Sequence, residues 1–129
     1  MAFELYNPST RANEPYIAID RQGRLRLSSS LRDMLNCRDR SISLYLAYDP
    51  VNHRIAIAKP DVVRQVNVRP LKFDAARGYA SGAGLIAKYR IPAQAHRYTY
   101  VGKERGGEYN GWLVFQREHY EAPDDKLPE

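Results

Sequence analysis

The chain has 129 residues, a formal charge of +5 and 43% hydrophobic residues. This length allows one compact unit or two very small ones and excludes a multidomain enzyme. It contains no run of about 18 apolar residues for a membrane span, and its first residues lack the basic and apolar regions of a signal peptide, so we expect a cytoplasmic protein with no membrane partner.

The first predicted element is a β-hairpin. Residues 1–14 mix apolar and turn-forming side chains and are expected to form a loosely attached N-terminal arm. The segment 16–19 is densely apolar and predicts a strand. The Asp-Arg-Gln-Gly segment at 20–23 predicts a turn, because its glycine can adopt positive φ without a Cβ penalty.

The strand after this turn has two chemically different faces. Leu25 and Leu27 alternate with Arg24 and Arg26. Because successive side chains of a strand point to opposite faces, this alternation predicts a buried leucine face and a cationic face.

A short helix is predicted next. One of the serines at 28–30 can cap the first turn, and Leu31, Met34 and Leu35 form an apolar stripe at helical spacing. Asn36 is expected to end the helix, since its short side chain tolerates the left-handed conformation. A helix of about two turns does not persist alone in water, so it must dock on the strands.

A second hairpin completes the first unit. Apolar residues alternate through 42–48 and again through 53–57, and the Asp-Pro-Val-Asn turn separates the two strands. We therefore assign residues 15–60 to one unit and 61–70 to a connector that an edge strand would fit.

Residues 71–117 repeat the order strand, turn, helix, strand, turn, strand more weakly. Four pairs of similar residues are each separated by 54 positions: Asp20 and Asp74, Leu31 and Leu85, Leu44 and Tyr98, and Leu46 and Tyr100. The second half is expected to be either a degenerate repeat or a separate module that resembles the first by chance.

The charge is uneven along the chain. The expected flexible tail, residues 118–129, contains five carboxylates and one lysine, so the rest of the chain is more basic than the whole. A basic body with an acidic tail favours a polyanion-facing surface, and the alternative is an ordinary soluble surface with a frayed end.

The segment from 20 to 35 resembles the swapped-hairpin AbrB family, whose pattern is D-xx-G-R-[IV]-x-[IVL]-P-xx-[LF]-R-xx-L. The resemblance is clearest over 17–59, about 45 of the 129 residues. A tandem form of the unit is similar to MraZ proteins, and one unit followed by a separate module is similar to SpoVT-like regulators. The matching residues are Asp20, Gly23, Arg24, Leu25, Leu27, Leu31, Arg32 and Leu35.

This resemblance implies a mostly β protein with short helices, an AbrB-like barrel in which two units exchange hairpins, and DNA binding through arginines. The physical argument agrees that a partner is needed. Two hairpins in one unit cannot be covered by a single short helix, so either the second half or a second chain must supply the missing apolar surface. We expect a homodimer.

The chain also departs from the family pattern. Ser28 replaces the proline that opens the helix, and Asn36 replaces the glycine that follows it. Basic residues common in DNA-binding members are replaced by Ile17 or Ala18 and by Asp33. Other arginines nearby can compensate, because neutralising phosphates requires positive charge close to the DNA backbone and does not depend on one exact position.

The arginines around the first unit are the candidate binding residues. Six lie within about 20 residues with no lysine among them, and the planar guanidinium suits bidentate contacts to guanine edges and phosphates. The alternative is a solvated face on which Asp20, Asp33 and Asp39 pair with these arginines. The predicted DNA contacts are Arg21, Arg24, Arg26, Arg32 and Arg40, with Arg38 as a further candidate.

No catalytic or metal-binding pattern is present. Cys37 is alone, which excludes an intramolecular disulfide and a cysteine-based zinc site, and the three histidines are scattered. The glycine-rich segment 78–84 lacks the spacing of a phosphate-binding loop. We therefore expect neither an enzyme nor a bound cofactor or metal.

The sequence thus favours a DNA-binding transcription regulator that dimerises through residues 15–60 and contacts double-stranded DNA. The alternative is a protein-binding module, for example an inhibitor of phage or mobile-element type that acts on a host protein. The tyrosines and arginines interleaved in the second half would serve such a partner, since these residues are typical of interface hot spots.

Overall fold

A computed structural model describes residues 3, 14–61, 68–92 and 94–125. Within these ranges the chain forms eight antiparallel strands and two short helices, which confirms the mostly β fold class. The elements are β1 (Tyr16–Ile19), β2 (Arg24–Leu27), α1 (Ser29–Met34), β3 (Ile42–Asp49), β4 (Arg54–Ala58), β5 (Leu71–Phe73), β6 (Tyr79–Ser81), α2 (Ala83–Tyr89), β7 (His96–Lys103) and β8 (Leu113–Arg117), followed by a 3-10 turn at Pro123–Asp125.

The strands form one sheet that curls into a nearly closed barrel. Their order is β5-β3-β4-β8-β7-β1-β2-β6, so β5 and β6 lie at the two ends of the order. These end strands are consecutive in the chain, and a tight turn joins them: the Asp74 amide donates to the Tyr79 carbonyl and the Gly78 amide donates to the Asp74 carbonyl. The turn brings the two edges together and leaves little of either edge open.

Each hairpin of one half lies between strands of the other half. The β1–β2 hairpin is flanked by β7 and β6, and the β3–β4 hairpin is flanked by β5 and β8. The second half of the chain therefore supplies the apolar surface that the first half lacks, and the barrel is completed within one chain.

The strand registers of the two halves correspond. A shift of 54 residues converts the pair Ile17–Tyr98 of β1 and β7 into the pair Leu71–Leu44 of β5 and β3. The helices end in the same way, because Asn36 and Arg90 are also 54 residues apart and both have left-handed φ, 58° and 53°. The described elements thus follow an approximate two-fold arrangement.

The predicted alternation of β2 and the predicted helix cap are confirmed, but Met34, expected on the apolar stripe of α1, is 43% exposed. Leu25 and Leu27 are buried in the barrel core, whereas Arg24 is exposed and Arg26 half-buried on the outer face. The Ser28 hydroxyl accepts a hydrogen bond from the Leu31 amide and caps α1. Core residues from both halves interleave in a single cluster: Ile17, Ile19, Leu25, Leu27, Leu31, Leu35, Cys37, Leu44, Ile55, Ile57, Phe73, Ala80, Ile91, Tyr98 and Phe115.

Part of the acidic C-terminal segment contacts the β3–β4 turn. The Asn52 side-chain amide donates to an Asp124 carboxylate oxygen, and the Asp124 backbone amide donates back to the Asn52 side-chain oxygen. The Tyr120 hydroxyl donates to the Val51 carbonyl. Residues 118–125 are thus held against the barrel, and the rest of the expected flexible tail lies outside the described residues.

The described residues also exclude most of the expected N-terminal arm. They exclude the part of the connector between 61 and 68, where an edge strand would fit. Neither α1 nor α2 is long and apolar enough to cross a membrane.

Candidate nucleic-acid interface

The outer surface of strands β7, β1, β2 and β6 carries arginines and tyrosines that contact one another. In one row across this surface, Arg97 pairs with Ala18, Ala18 with Arg26, and Arg26 with Tyr79. Neighbouring strands lie about 4.8 Å apart, so residues in one row are close enough for long side chains to meet. We call Tyr16, Arg24, Arg26, Tyr79 and Arg97 the arginine–tyrosine face.

Tyr16 contacts two arginines of this face, Arg26 and Arg97. The Arg97 guanidinium carbon lies 4.1 Å from the centre of the Tyr16 ring, and Arg26 Nη2 donates to the Tyr16 hydroxyl at 2.9 Å. The small side chain of Ala18, between the two arginines, leaves the surface open above the strand. Tyr16 thus restrains two guanidinium groups from different halves of the chain.

Tyr79 restrains Arg24 in the same manner. The Arg24 guanidinium carbon lies 4.5 Å from the centre of the Tyr79 ring, and Arg24 Nε donates to an Asp20 carboxylate oxygen at 2.8 Å. Contacts between a cation and an aromatic ring contribute about 0.5–1 kcal/mol at exposed sites. These contacts hold the exposed guanidinium in place, and Arg24 Nη2 also donates to the Gln22 side-chain oxygen at 3.4 Å.

Two groups of this surface have shifted pKa values. Burial opposes the charge of Arg26, but the Tyr16 and Tyr79 hydroxyls outweigh it and raise the pKa of the guanidinium. Burial also opposes the charge of Asp20, but hydrogen bonds from the Arg24 backbone and side chain outweigh it and lower the pKa of the carboxyl. The face therefore remains charged at neutral pH, with one carboxylate at its edge.

Arg32 lies apart from the arginine–tyrosine face. Its side chain is only 8% exposed, and its Nη2 donates to the carbonyl oxygens of Arg38 at 2.6 Å and Ala75 at 2.5 Å. The stem of Arg32 passes over Gly78, where an added Cβ would lie 3.1 Å from Arg32 Cδ. In this position Arg32 joins α1 to the β5–β6 turn, and its donors point to protein carbonyls.

The other predicted arginines occupy exposed loops. Arg21 lies in the β1–β2 turn, and Arg38 and Arg40 lie between α1 and β3. Arg38 Nε pairs with Asp33 at 3.0 Å, both side chains being more than half exposed, so this ion pair contributes little to stability. The structure thus brings Arg24 and Arg26 together and leaves Arg21 and Arg40 as separate exposed cations.

The two halves of the barrel differ in their arginines. Tyr79 corresponds to Arg24, because each directly follows a turn glycine, Gly78 or Gly23. Ile86 of α2 corresponds to Arg32 of α1, because Ile86 packs against Gly23 and Arg32 packs against Gly78. The second half therefore has tyrosine and isoleucine where the first half has Arg24 and Arg32. Within the part of the chain that the structure describes, there is one arginine–tyrosine face, and the second half does not form an equivalent one.

Three members of the face were not predicted from the sequence: Tyr16, Tyr79 and Arg97. Tyr79 and Arg97 belong to the interleaved tyrosines and arginines of the second half, which the sequence indicates only as a candidate protein-binding surface. Their position beside Arg24 and Arg26 depends on the pairing of β1 with β7 and of β2 with β6, which no local pattern indicates.

No metal site or known relative adds to this description. The described residues contain no group of three or more histidine, cysteine or acidic side chains placed to hold a metal ion. No family model, curated protein or solved structure matches the chain.

Proposed function

We propose that this protein is a cytoplasmic transcription regulator that binds double-stranded DNA through the arginine–tyrosine face. The observation that carries the proposal is the placement of Arg24 and Arg26 on β2 and of Arg97 on β7, on one outer surface with only β1 between the two strands. Three guanidinium groups restrained on a half-exposed surface suit phosphate oxygens, which they can contact through paired N–H donors.

We further propose that the barrel is an AbrB-like swapped-hairpin barrel formed within one chain, with residues 71–117 as a degenerate second repeat. The exchange of hairpins between the halves and the matching registers support this assignment. Because the apolar surface is already covered, a homodimer would serve to place two arginine–tyrosine faces on one duplex rather than to complete the fold.

The arginines have different roles in the proposed DNA binding. Arg24, Arg26 and Arg97 contact the DNA directly, and the exposed Arg21 and Arg40 add phosphate neutralisation. Arg32 is a positioning residue, since its guanidinium is buried against backbone carbonyls.

A salt series of mobility shifts on mixed duplex DNA tests the proposal. The logarithm of the binding constant falls with the logarithm of salt concentration by about 0.9 for each phosphate neutralised. We expect wild-type binding to weaken steeply with salt, and the Arg24→Ala, Arg26→Ala double variant to reduce the slope by about 2.

Arg105→Ala is the matched control. Arg105 is exposed in the β7–β8 turn, outside the arginine–tyrosine face, so its removal changes the net charge by the same amount as Arg97→Ala without removing a contact. Absence of binding at low salt, or an equal loss of slope in Arg105→Ala and Arg97→Ala, would contradict the proposal.

A protein partner is the second candidate. The observation that favours it is the alternation of tyrosine and arginine across the face, the two residue types most enriched with tryptophan in interface hot spots. If DNA binding is undetectable at low salt, capture experiments in which wild type retains a host protein and Tyr79→Ala with Arg97→Ala does not would support this function.

A further inference from the structure

A cavity of about 300 Å³ opens between the end of α1, strand β4 and the β7–β8 hairpin. Its wall combines apolar side chains with two lysines, and it includes no carboxylate. The lining residues are Met34, Leu35, Ile57, Ala58, Lys59, Tyr100, Lys103, Gly111 and Leu113.

Aromatic rings fill the corresponding place at the other end of the barrel. The Tyr48 and Tyr89 rings lie 4.8 Å apart, and the Tyr48 hydroxyl is 2.9 Å from His53 Nδ1. Tyr48 is close to Tyr98 as well, with 3.4 Å between the two hydroxyl oxygens. These residues hold one another in place, so that end is a packed part of the protein.

The two-fold arrangement identifies what replaces these rings at the cavity. Tyr48 pairs with Ile55, and after the β-bulge between Tyr100 and Gly102 the corresponding pair is Lys103 with Leu113. Lys103 thus occupies the position of Tyr48, because the bulge shifts the register by one residue.

Two smaller residues replace the other rings. Leu35 corresponds to Tyr89, because each precedes a residue with left-handed φ, Asn36 or Arg90. Gly111 corresponds to His53, because each has positive φ and lies two residues before an inward side chain, Leu113 or Ile55. A lysine, a leucine and a glycine therefore stand where a tyrosine, a tyrosine and a histidine fill the other end, and the space between them forms the cavity.

Met34 adds exposed apolar surface to the cavity. It was expected on the buried stripe of α1, yet it is 43% exposed because the cavity lies beside it. Large apolar side chains rimming a concave site commonly mark a binding surface.

We propose that this cavity binds a small organic anion with an apolar body, of the kind represented by a medium-chain carboxylate. The apolar wall favours burial of a hydrocarbon chain, and Lys59 and Lys103 provide positive charge for its carboxylate. The volume is at the lower end of the range for small-molecule sites, which suits about ten non-hydrogen atoms. This site is separate from the arginine–tyrosine face and goes beyond the proposed function.

Titration with octanoate tests the proposal on the whole chain. The single tryptophan, Trp112, is 3% exposed and lies between the lining residues Gly111 and Leu113, so its fluorescence should report binding. We expect saturable binding on the order of 1 mM or tighter, with amide NMR shifts concentrated at the lining residues. Octanamide, which has the same size without the charge, should bind more weakly.

Two variants separate the contributions of charge and space. Lys59→Ala with Lys103→Ala should weaken octanoate binding about three- to tenfold, because two partly exposed charge interactions are lost. Lys103→Tyr should abolish binding by filling the cavity as Tyr48 fills the other end. Lys72→Ala is the control, since Lys72 is exposed on β5 outside the cavity and its removal should leave the affinity unchanged.

Several outcomes would overturn the proposal. These are equal binding of octanoate and octanamide, equal affinity in the double lysine variant and Lys72→Ala, or NMR shifts located at the arginine–tyrosine face instead. Shifts at the lining residues that appear on raising the protein concentration without octanoate would identify a second copy of the chain as the occupant. If Lys103→Tyr fails to fold, the double lysine variant still decides the result.

Discussion

Arg32 Nη2 donates a hydrogen bond of 2.5 Å to the carbonyl oxygen of Ala75, 43 residues further along the chain. The same nitrogen donates to the Arg38 carbonyl at 2.6 Å, so one guanidinium joins the loop after α1 to the β5–β6 turn. This turn connects the two edge strands of the barrel. Arg32, which the sequence predicted as a DNA contact, therefore helps to hold the two halves together.

We expect Arg32→Ala to destabilise the protein by about 1–3 kcal/mol, since two carbonyl groups lose a charged donor. Urea unfolding monitored by circular dichroism measures this change. Arg38→Ala removes an equal charge at an exposed position and should change the free energy of unfolding by less than about 0.5 kcal/mol. If Arg32→Ala retained wild-type stability but reduced the salt dependence of DNA binding, Arg32 would be a contact residue rather than a positioning residue.

Two glycines should respond oppositely to alanine. Gly78 has φ of +72° and lies under the Arg32 side chain, so Gly78→Ala should cost about 1–2 kcal/mol through backbone strain and displacement of Arg32. Gly84 lies in α2 with open space around it, so Gly84→Ala should stabilise the protein by about 0.5–1 kcal/mol. The same unfolding assay compares both. Similar effects of the two substitutions would contradict the assigned role of the β5–β6 turn.

At concentrations where the chain is monomeric, the midpoint of thermal unfolding should be independent of protein concentration. A fold that requires a second copy becomes more stable as concentration rises, whereas this barrel closes within one chain. Calorimetry over a hundredfold range of concentration measures the dependence. A midpoint that rises steadily with concentration would indicate that a second copy stabilises the folded state, through exchange of hairpins or through the proposed homodimer.

Stability should decrease as the pH falls below about 6.5. Burial lowers the pKa of His53 below its ordinary value of 6.5, and the nearby positive charge of Arg117 lowers it further. The folded state then binds fewer protons than the unfolded state, so the stabilisation is fully present above the unfolded pKa and is lost as the pH falls from there through the folded pKa. His96 is shifted in the same direction by burial and by Arg117.

His53→Asn tests this origin of the pH dependence. His53 has φ of 53°, a conformation that asparagine tolerates, so the substitution removes the titrating group with little backbone strain. Unfolding free energies measured between pH 5 and 7.5 should fall less steeply in the variant than in wild type. Parallel curves would assign the dependence to other groups.

Some features of the candidate site followed directly from local sequence. The alternation of leucine and arginine in residues 24–27 indicated that Arg24 and Arg26 lie on the outer face, and both do. Arg32 could not be placed in the same way. Its helical position is evident, but its burial depends on a turn more than forty residues away, and the exposed Met34 depends on a cavity that forms only when the β7–β8 hairpin packs beside α1.

The sequence by itself determined the alternating strands, the Ser28 cap and the Asn36 helix end, because each depends on neighbouring residues and on a period of about 2 residues in strands and about 3.6 in helices. Only the tertiary structure decided that β1 pairs with β7 and β2 with β6, which places Arg97 and Tyr79 beside the predicted arginines. The physical reason is that a strand's alternation shows which side is buried but does not specify its partner. Strand pairing depends on how apolar surfaces distant in the chain fit together. In this protein the second half covers the apolar surface that the first half leaves open.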